Sequence, residues 1–252
     1  MQWNDEGIVL GGRRFGESGL ILDVLTSKNG RKSGLVHGGA SRKKRAQYEI
    51  GNSLELDWQG RLEHQLGRFA VAEATRERAA RLMDNGDALA AISSLTALLR
   101  TVLEEGDVAG SALYEPSLLV LEALDDQELW PALYVKWEAG VLSALGFGLD
   151  LTKCAVSGAN DGLTHVSPRT GRAVRGSEAE DYIDRLLRLP AFLIDPSAPV
   201  LPDDIGAGLM LTGHFLERRH FNQINRAPPE ARDMFLRRLE RSGLAVFSAE
   251  SL

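Results

Sequence analysis

The sequence predicts an α+β protein, with a five-stranded β-barrel at the N-terminus followed by an α-helical domain that carries a small ribbon-like insertion. Three observations predict it. Short runs rich in Val, Ile and Leu, separated by glycine-containing turns, fill residues 1–75. From about residue 78 the apolar spacing becomes that of helices. Residues 151–176 break that pattern with a stretch dense in Gly, Ser, Thr and Asn. The expected division is a barrel domain over 1–78 and a helical domain over 79–252, interrupted by the insertion at 150–177.

The strands are expected at 7–12, 20–26, 32–38, 53–59 and near 65–73. Asn29-Gly30 falls between the second and third, and this pair accepts two positive φ angles, which predicts a tight hairpin. Five short strands with little helix between them close most simply as a barrel. "ALAAISSLTALLRTVL" (88–103) is apolar around most of a helix and predicts a well-buried one. "SALYEPSLLVLEALDD" (111–126) tolerates Pro116 in its first turn, and 132–148 is ended by Gly146 and Gly148. Helix is expected again at 178–189, at about 203–222, and at 229–241 after Pro228-Pro229.

The 252 residues are 44% hydrophobic and 25% charged, ordinary for a globular protein that needs no disulfide to hold its core. One cysteine, Cys154, permits no intrachain disulfide, so a reducing cytoplasm is the simplest setting. The N-terminus lacks the pattern of a signal peptide, and no apolar run approaches the roughly 20 residues that span a bilayer. No membrane partner is expected.

The net charge of −6 hides a partition. Residues 1–80 carry a net of +3, residues 81–150 a net of −9, and the remainder is neutral. Between Asp23 and Glu49 there is no acid, while Lys28, Arg31, Lys32, Arg42, Lys43, Lys44 and Arg45 fall in that interval. Cations without counter-charge on a hairpin and its following loop predict polyanion binding, because neutralised phosphates release condensed counterions. A solvated charge run that only aids solubility is the plain alternative. Gly38 and Gly39 would let the backbone approach a phosphate, His37 could stack or hydrogen-bond, and Tyr48 is the stacking candidate. Trp58 alternates with Leu54 and Leu56 and is expected in the core or at its rim.

Signals of catalysis are poor. The chain has no Gly-x-x-x-x-Gly-Lys-[Ser/Thr], His-Glu-x-x-His or Gly-x-Ser-x-Gly, and its five histidines lack ligand spacing. Neither catalytic residues nor a cofactor is expected. "CAVSG" at Cys154 looks like a zinc knuckle whose second thiol became Ser157, and a structural zinc needs four ligands. A metal-free remnant is the expectation.

These residues carry a resemblance. "EGIVLGGRRFGESGLILDVLTSKNGRKSGLVHGGASRKKR" (6–45), "LGFGLDLTKCAVSG" (145–158) and "SPRTGRAV" (167–174) resemble the bacterial RecO family of DNA repair proteins. The resemblance implies an OB-fold barrel, a helical domain and a ribbon whose four cysteine positions here hold Cys154, Ser157, Arg175 and Glu178. It implies a recombination mediator of the RecF pathway that binds single- and double-stranded DNA, anneals strands, and works with RecR and single-strand-binding protein to load RecA. The resemblance also implies a cytoplasmic, nucleoid-associated setting. The DNA-binding residues expected on this reading are Arg31, Lys32, His37, Arg42, Lys43, Lys44, Arg45 and Tyr48. The acidic, apolar C-terminal tail of single-strand-binding protein is expected at Lys136 and Trp137, a cation beside an apolar side chain. An OB-fold protein binding structured RNA and a metal-dependent nuclease are the competing functions; the nuclease lacks spaced carboxylates.

Overall fold

The computed structural model describes residues 1–61 and 66–247. Five strands, β1 (Gln2–Phe15), β2 (Gly19–Thr26), β3 (Gly30–Val36), β4 (Ser53–Gln59) and β5 (Gly67–Arg76), close a barrel in the order β1-β2-β3-β5-β4. All neighbours are antiparallel except β3 and β5, which pair in parallel at Gly34↔Gly67 and Leu35↔Arg68. This is an OB-fold arrangement. The core follows from alternation: Val9, Leu22, Val24, Val36, Leu54, Leu56, Trp58 and Phe69 point inward. Trp58 is in that core, stacked on Trp3 with ring centroids 5.3 Å apart.

β1 is long enough to serve two partners. Its first half pairs with β4 from Gln2↔Gln59 to Ile8↔Ser53, and its second half pairs with β2 from Gly7↔Thr26 to Phe15↔Gly19. A register shift between Val9 and Gly11 marks the bend, and both ends of the strand reach the same mouth of the barrel.

The β2–β3 hairpin forms where expected, but its turn differs. Only Gly30 has a positive φ, +64°, and Thr26 pairs with Gly30 across three loop residues. Asp5 on β1 holds this turn. Its carboxylate accepts hydrogen bonds from the Glu6 and Lys28 N–H groups, the Ser27 hydroxyl and the Asn29 amide.

The helices are α1 (Arg78–Arg81), α2 (Gly86–Val102), α3 (Tyr114–Ala123), α4 (Trp130–Ala144), α5 (Gly176–Ala179), α6 (Pro202–Phe215) and α7 (Glu230–Ser242). Asn85 caps α2 by accepting from the Ala88 N–H. The insertion supplies β6 (Leu163–Val166) and β7 (Ala173–Arg175), which form a three-stranded sheet in the order β7-β6-β8 with β8 (Leu187–Arg188) from beyond its expected end. The helix expected over 178–189 is therefore absent. A 3₁₀ turn covers Glu180–Arg185 and the chain then extends, because Pro190 disfavours helical backbone before it and β6 offers an edge to pair with. No described helix is long and apolar enough to cross a membrane.

The chain divides into two compact units, Met1–Asp125 with Pro229–Phe235, and Asp126–Pro228 with Leu236 onward. The strands end near residue 78, but the first unit continues to Asp125. The reason is visible at Arg78, 2% exposed, whose guanidinium donates to the Gly51 carbonyl, the Ser53 hydroxyl and the Glu122 carboxylate. In the second unit α4 and α6 approach closely where Gly208 faces Val135, and the Thr212 hydroxyl donates to buried Glu138.

Burial alone would raise the Asp5 carboxyl, but its four hydrogen bonds outweigh this and hold it below the ordinary aspartate value. The resulting stability is complete above the ordinary value and is lost as pH falls through the lower folded-state one. Asp5→Asn presents an amide N–H₂ to groups that are themselves donors. It is expected to lower stability at neutral pH by about 1–3 kcal/mol and to flatten the loss on acidification, as read by denaturant melts across that range.

Candidate functional site

The loop after β3 is a chain of tight turns. Gly38 has φ +69°, and the Ala40 N–H donates to the Ser18 carbonyl of the β1–β2 turn. The Lys44 and Arg45 N–H groups both donate to the Ser41 carbonyl. Arg42, Lys43, Lys44 and Arg45 are all exposed on these turns. Arg42, Lys43 and Lys44 form no ion pair among the described residues, and Arg45 lies 3.9 Å from Glu49 in an exposed pair of small energetic worth.

Four expected DNA-binding residues divide differently. His37 is exposed at the end of β3. Tyr48 is not a stacking platform: it is 6% exposed, lies in the barrel core, and its hydroxyl donates to the Ala72 carbonyl at 3.1 Å. A 3₁₀ turn over Arg45–Tyr48 carries it inward. Burial raises the Tyr48 hydroxyl, so it stays protonated as a donor. Lys32 is 3% exposed, with Nζ 6.0 Å from the Trp58 ring centroid rather than in solvent. Arg31 is consumed by structure. Its guanidinium meets Asp23 at 2.8 Å and donates to the Arg100 and Leu103 carbonyls at the end of α2, at 2.7 and 2.8 Å. Arg100 binds the same Asp23 carboxylate. Gly39 is a packing glycine, since a Cβ there would lie 2.9 Å from Leu20.

Barrel closure brings other residues to the basic loop. Arg14 and Arg45 line one small depression of about 170 Å³ with Gly39 and Ala40. A larger groove of about 670 Å³ joins Phe15 from the end of β1, Leu35 from β3, His37 just after it, Arg61 and Leu66 from the β4–β5 connection and Arg68 from the start of β5. Arg13, Arg14 and Phe15 are exposed. These residues were not expected as site residues. "RRF" at a strand end, before the "GES" turn, is the sequence signal that could have found Arg13, Arg14 and Phe15; Arg61 and Arg68 had none, since the pairings of β4 and β5 in the closed barrel place them.

In the second unit Lys136 is exposed, with Nζ 5.8 Å from the Phe192 ring centroid. Trp137 is buried against Tyr134 and offers no surface to a partner.

The ribbon positions named by the resemblance do converge. The Cys154 Sγ accepts from the Val156 and Arg175 N–H groups and lies 3.7 Å from a Glu178 oxygen. Burial would raise this thiol, but hydrogen bonds from Ser157, Arg175 and Val156 bring it below the ordinary cysteine value. The donor set does not fit zinc. It offers one thiol, a hydroxyl, a carboxylate and an arginine that is itself paired with Asp161 at 2.7 Å. No group of three or more His, Cys, Asp or Glu among the described residues is placed to hold a metal ion.

A closed five-stranded barrel in this strand order, continued by a helical region, defines an OB-fold protein with a helical C-terminal part. The family model described as "Recombination protein O N terminal" matches residues 1–78, and "Recombination protein O C terminal" matches residues 83–226. DNA repair protein RecO of Hyphomonas neptunium is 66% identical over 239 residues, covering 95% of this chain and 98% of that protein. DNA repair protein RecO of Methylorubrum extorquens (strain PA1) is 46% identical, covering 94% of this chain and 97% of that protein. The namesake from Cereibacter sphaeroides is 42% identical over 96% of this chain and the whole of that protein. The chain belongs to the RecO family of DNA repair proteins.

Two outcomes test these assignments. Arg31→Ala leaves Asp23 short of a partner and the end of α2 uncapped. It is expected to cost about 3 kcal/mol of stability, while the salt dependence of oligonucleotide binding, measured where the variant is folded, stays that of the parent. Dialysis against a chelator is expected to leave the Tm unchanged, with far less than one zinc per chain by metal analysis; stoichiometric zinc would contradict the donor set described.

Proposed function

We propose that this chain is a recombination mediator without catalytic groups, acting on the nucleoid in the cytoplasm. It binds single- and double-stranded DNA at the cationic mouth of the barrel, anneals complementary strands, and with RecR helps load RecA onto DNA coated by single-strand-binding protein. One observation carries this reading. Arg14 from the end of β1 and Arg45 from the loop after β3 line one depression, Arg61 and Arg68 line a groove with His37, and Arg42, Lys43 and Lys44 are exposed and form no ion pair among the described residues. Annealing is opposed by phosphate repulsion between strands. A surface that neutralises phosphates lowers that barrier and leaves most bases free to pair. Such contacts carry no base sequence, so tolerance of sequence follows. His37 belongs to this surface. The acidic tail of single-strand-binding protein is assigned to Lys136, without a contribution from Trp137.

Replacing Arg42, Lys43, Lys44 and Arg45 together by alanine removes two or three phosphate contacts on this reading. The slope of log affinity against log salt is expected to fall by about 1.4 to 2 on single strands. The loss should be similar for unrelated sequences, with annealing reduced in step and the melting temperature near that of the parent. Parental affinity and slope in this variant would remove the loop from the DNA surface.

A further inference from the structure

The groove of about 670 Å³ differs chemically from the basic loop beside it. Its wall is apolar: Phe15 is 51% exposed and Leu66 50% exposed, with Leu35 between strand and solvent. Its rim is basic, with His37, Arg61 and Arg68. Phenylalanine is usually buried, and this ring forms no aromatic pair among the described residues. A phosphate gains nothing from Phe15 or Leu66. A ligand with a flat apolar face flanked by anionic groups gains from both parts of the groove. The volume lies within the range of about 300–1,000 Å³ of small-ligand sites.

We infer that this groove is a nucleobase pocket, taking one unpaired base of a single strand against Phe15 while Arg61 and Arg68 hold the flanking phosphates. The inference rests on the DNA-binding reading above and adds to it a means of telling single strands from duplex. A paired base keeps both faces inside its own helix, so duplex can use the cations but not the ring. An acidic, apolar peptide is the competing occupant. The nucleic acid is favoured because further cations are exposed on the elements that end at the groove, Arg14 beside Phe15 on β1 and Arg42 to Arg45 after His37, with Arg14 and Arg45 lining one depression. That run suits a ligand with a charge on every unit rather than one charged end.

The test uses three ligands of equal length: oligothymidylate, the same backbone with abasic sites, and a duplex. The parent is expected to prefer oligothymidylate over the abasic strand. Phe15→Ala is expected to lose about fivefold or more in affinity for oligothymidylate, the lower end of one base–aromatic stack. Its affinity for the abasic strand, its affinity for duplex and its salt slope should stay unchanged, and Phe15→Trp should restore binding. Equal parental affinity for the thymidylate and abasic strands overturns the pocket, as does an equal loss on all three ligands in Phe15→Ala. So does an acidic, apolar peptide that binds the parent but not Phe15→Ala while oligonucleotide binding is untouched. The quadruple loop variant separates the two readings: if it keeps the parental slope while Phe15→Ala loses base preference, the loop has failed and the pocket stands.

Discussion

The first compact unit depends on a guanidinium whose hydrogen bonds go to the fold itself. Arg31 lies on the barrel, yet two of its hydrogen bonds end on the last carbonyls of α2, and the rest hold Asp23. The carboxylate is shared with Arg100, whose guanidinium lies over Gly11. A helix end has carbonyls without partners, and a buried aspartate needs donors; one planar cation satisfies both. The loop after α2 then closes the exposed edge of β3. The Glu105 carboxylate accepts from the Ser33 N–H, and the Gly106 N–H donates to the Arg31 carbonyl. Gly30 is required at this contact, since a Cβ would stand 2.0 Å from the Asp107 carbonyl.

That docking divides the positive charge of the N-terminal segment into two populations. Arg31, Lys32 and Arg78 are turned into the fold, where they satisfy carboxylates, carbonyls and a ring face. Arg13, Arg14 and Arg42 to Arg45 stay exposed to water. An acidic chain can present such a surface because fields decay quickly. Charges more than a Debye length apart, about 8 Å at physiological salt, scarcely interact through solvent. The net of −6 therefore says little about what one mouth of the barrel attracts.

The strands were legible because alternation and glycine turns are local properties. The run Arg42 to Arg45 was legible as a run of cations, and the core position of Trp58 followed from its spacing with Leu54 and Leu56. Arg31 and Lys32 were misleading because neighbours in space differ from neighbours in sequence: Arg31 meets Asp23 on the preceding strand, β2, and Lys32 turns toward the Trp58 ring. Tyr48 could not be placed, since one turn of 3₁₀ helix decides whether its ring faces water or core. Phe15 lies far along the chain from Arg61 and Arg68, and the three share a groove only when the barrel closes. The helix expected at 178–189 failed because a two-residue strand, paired across to His165 and Val166, is invisible to periodicity.

The bend in β1 has a consequence in time as well as in space. Its pairing with β2 is a local hairpin, but Trp3 finds Trp58 and Gln2 finds Gln59 only after most of the barrel sequence is available. Contacts so distant along the chain are slow to form, because the loop they close must be ordered first. The three-stranded meander of β1, β2 and β3 can assemble early, already carrying the basic loop at its end. The mouth, with Phe15 set opposite Arg61 and Arg68, exists only once the last strand has entered. A nascent chain thus displays exposed cations before the groove that joins Phe15 to Arg61 and Arg68 has formed.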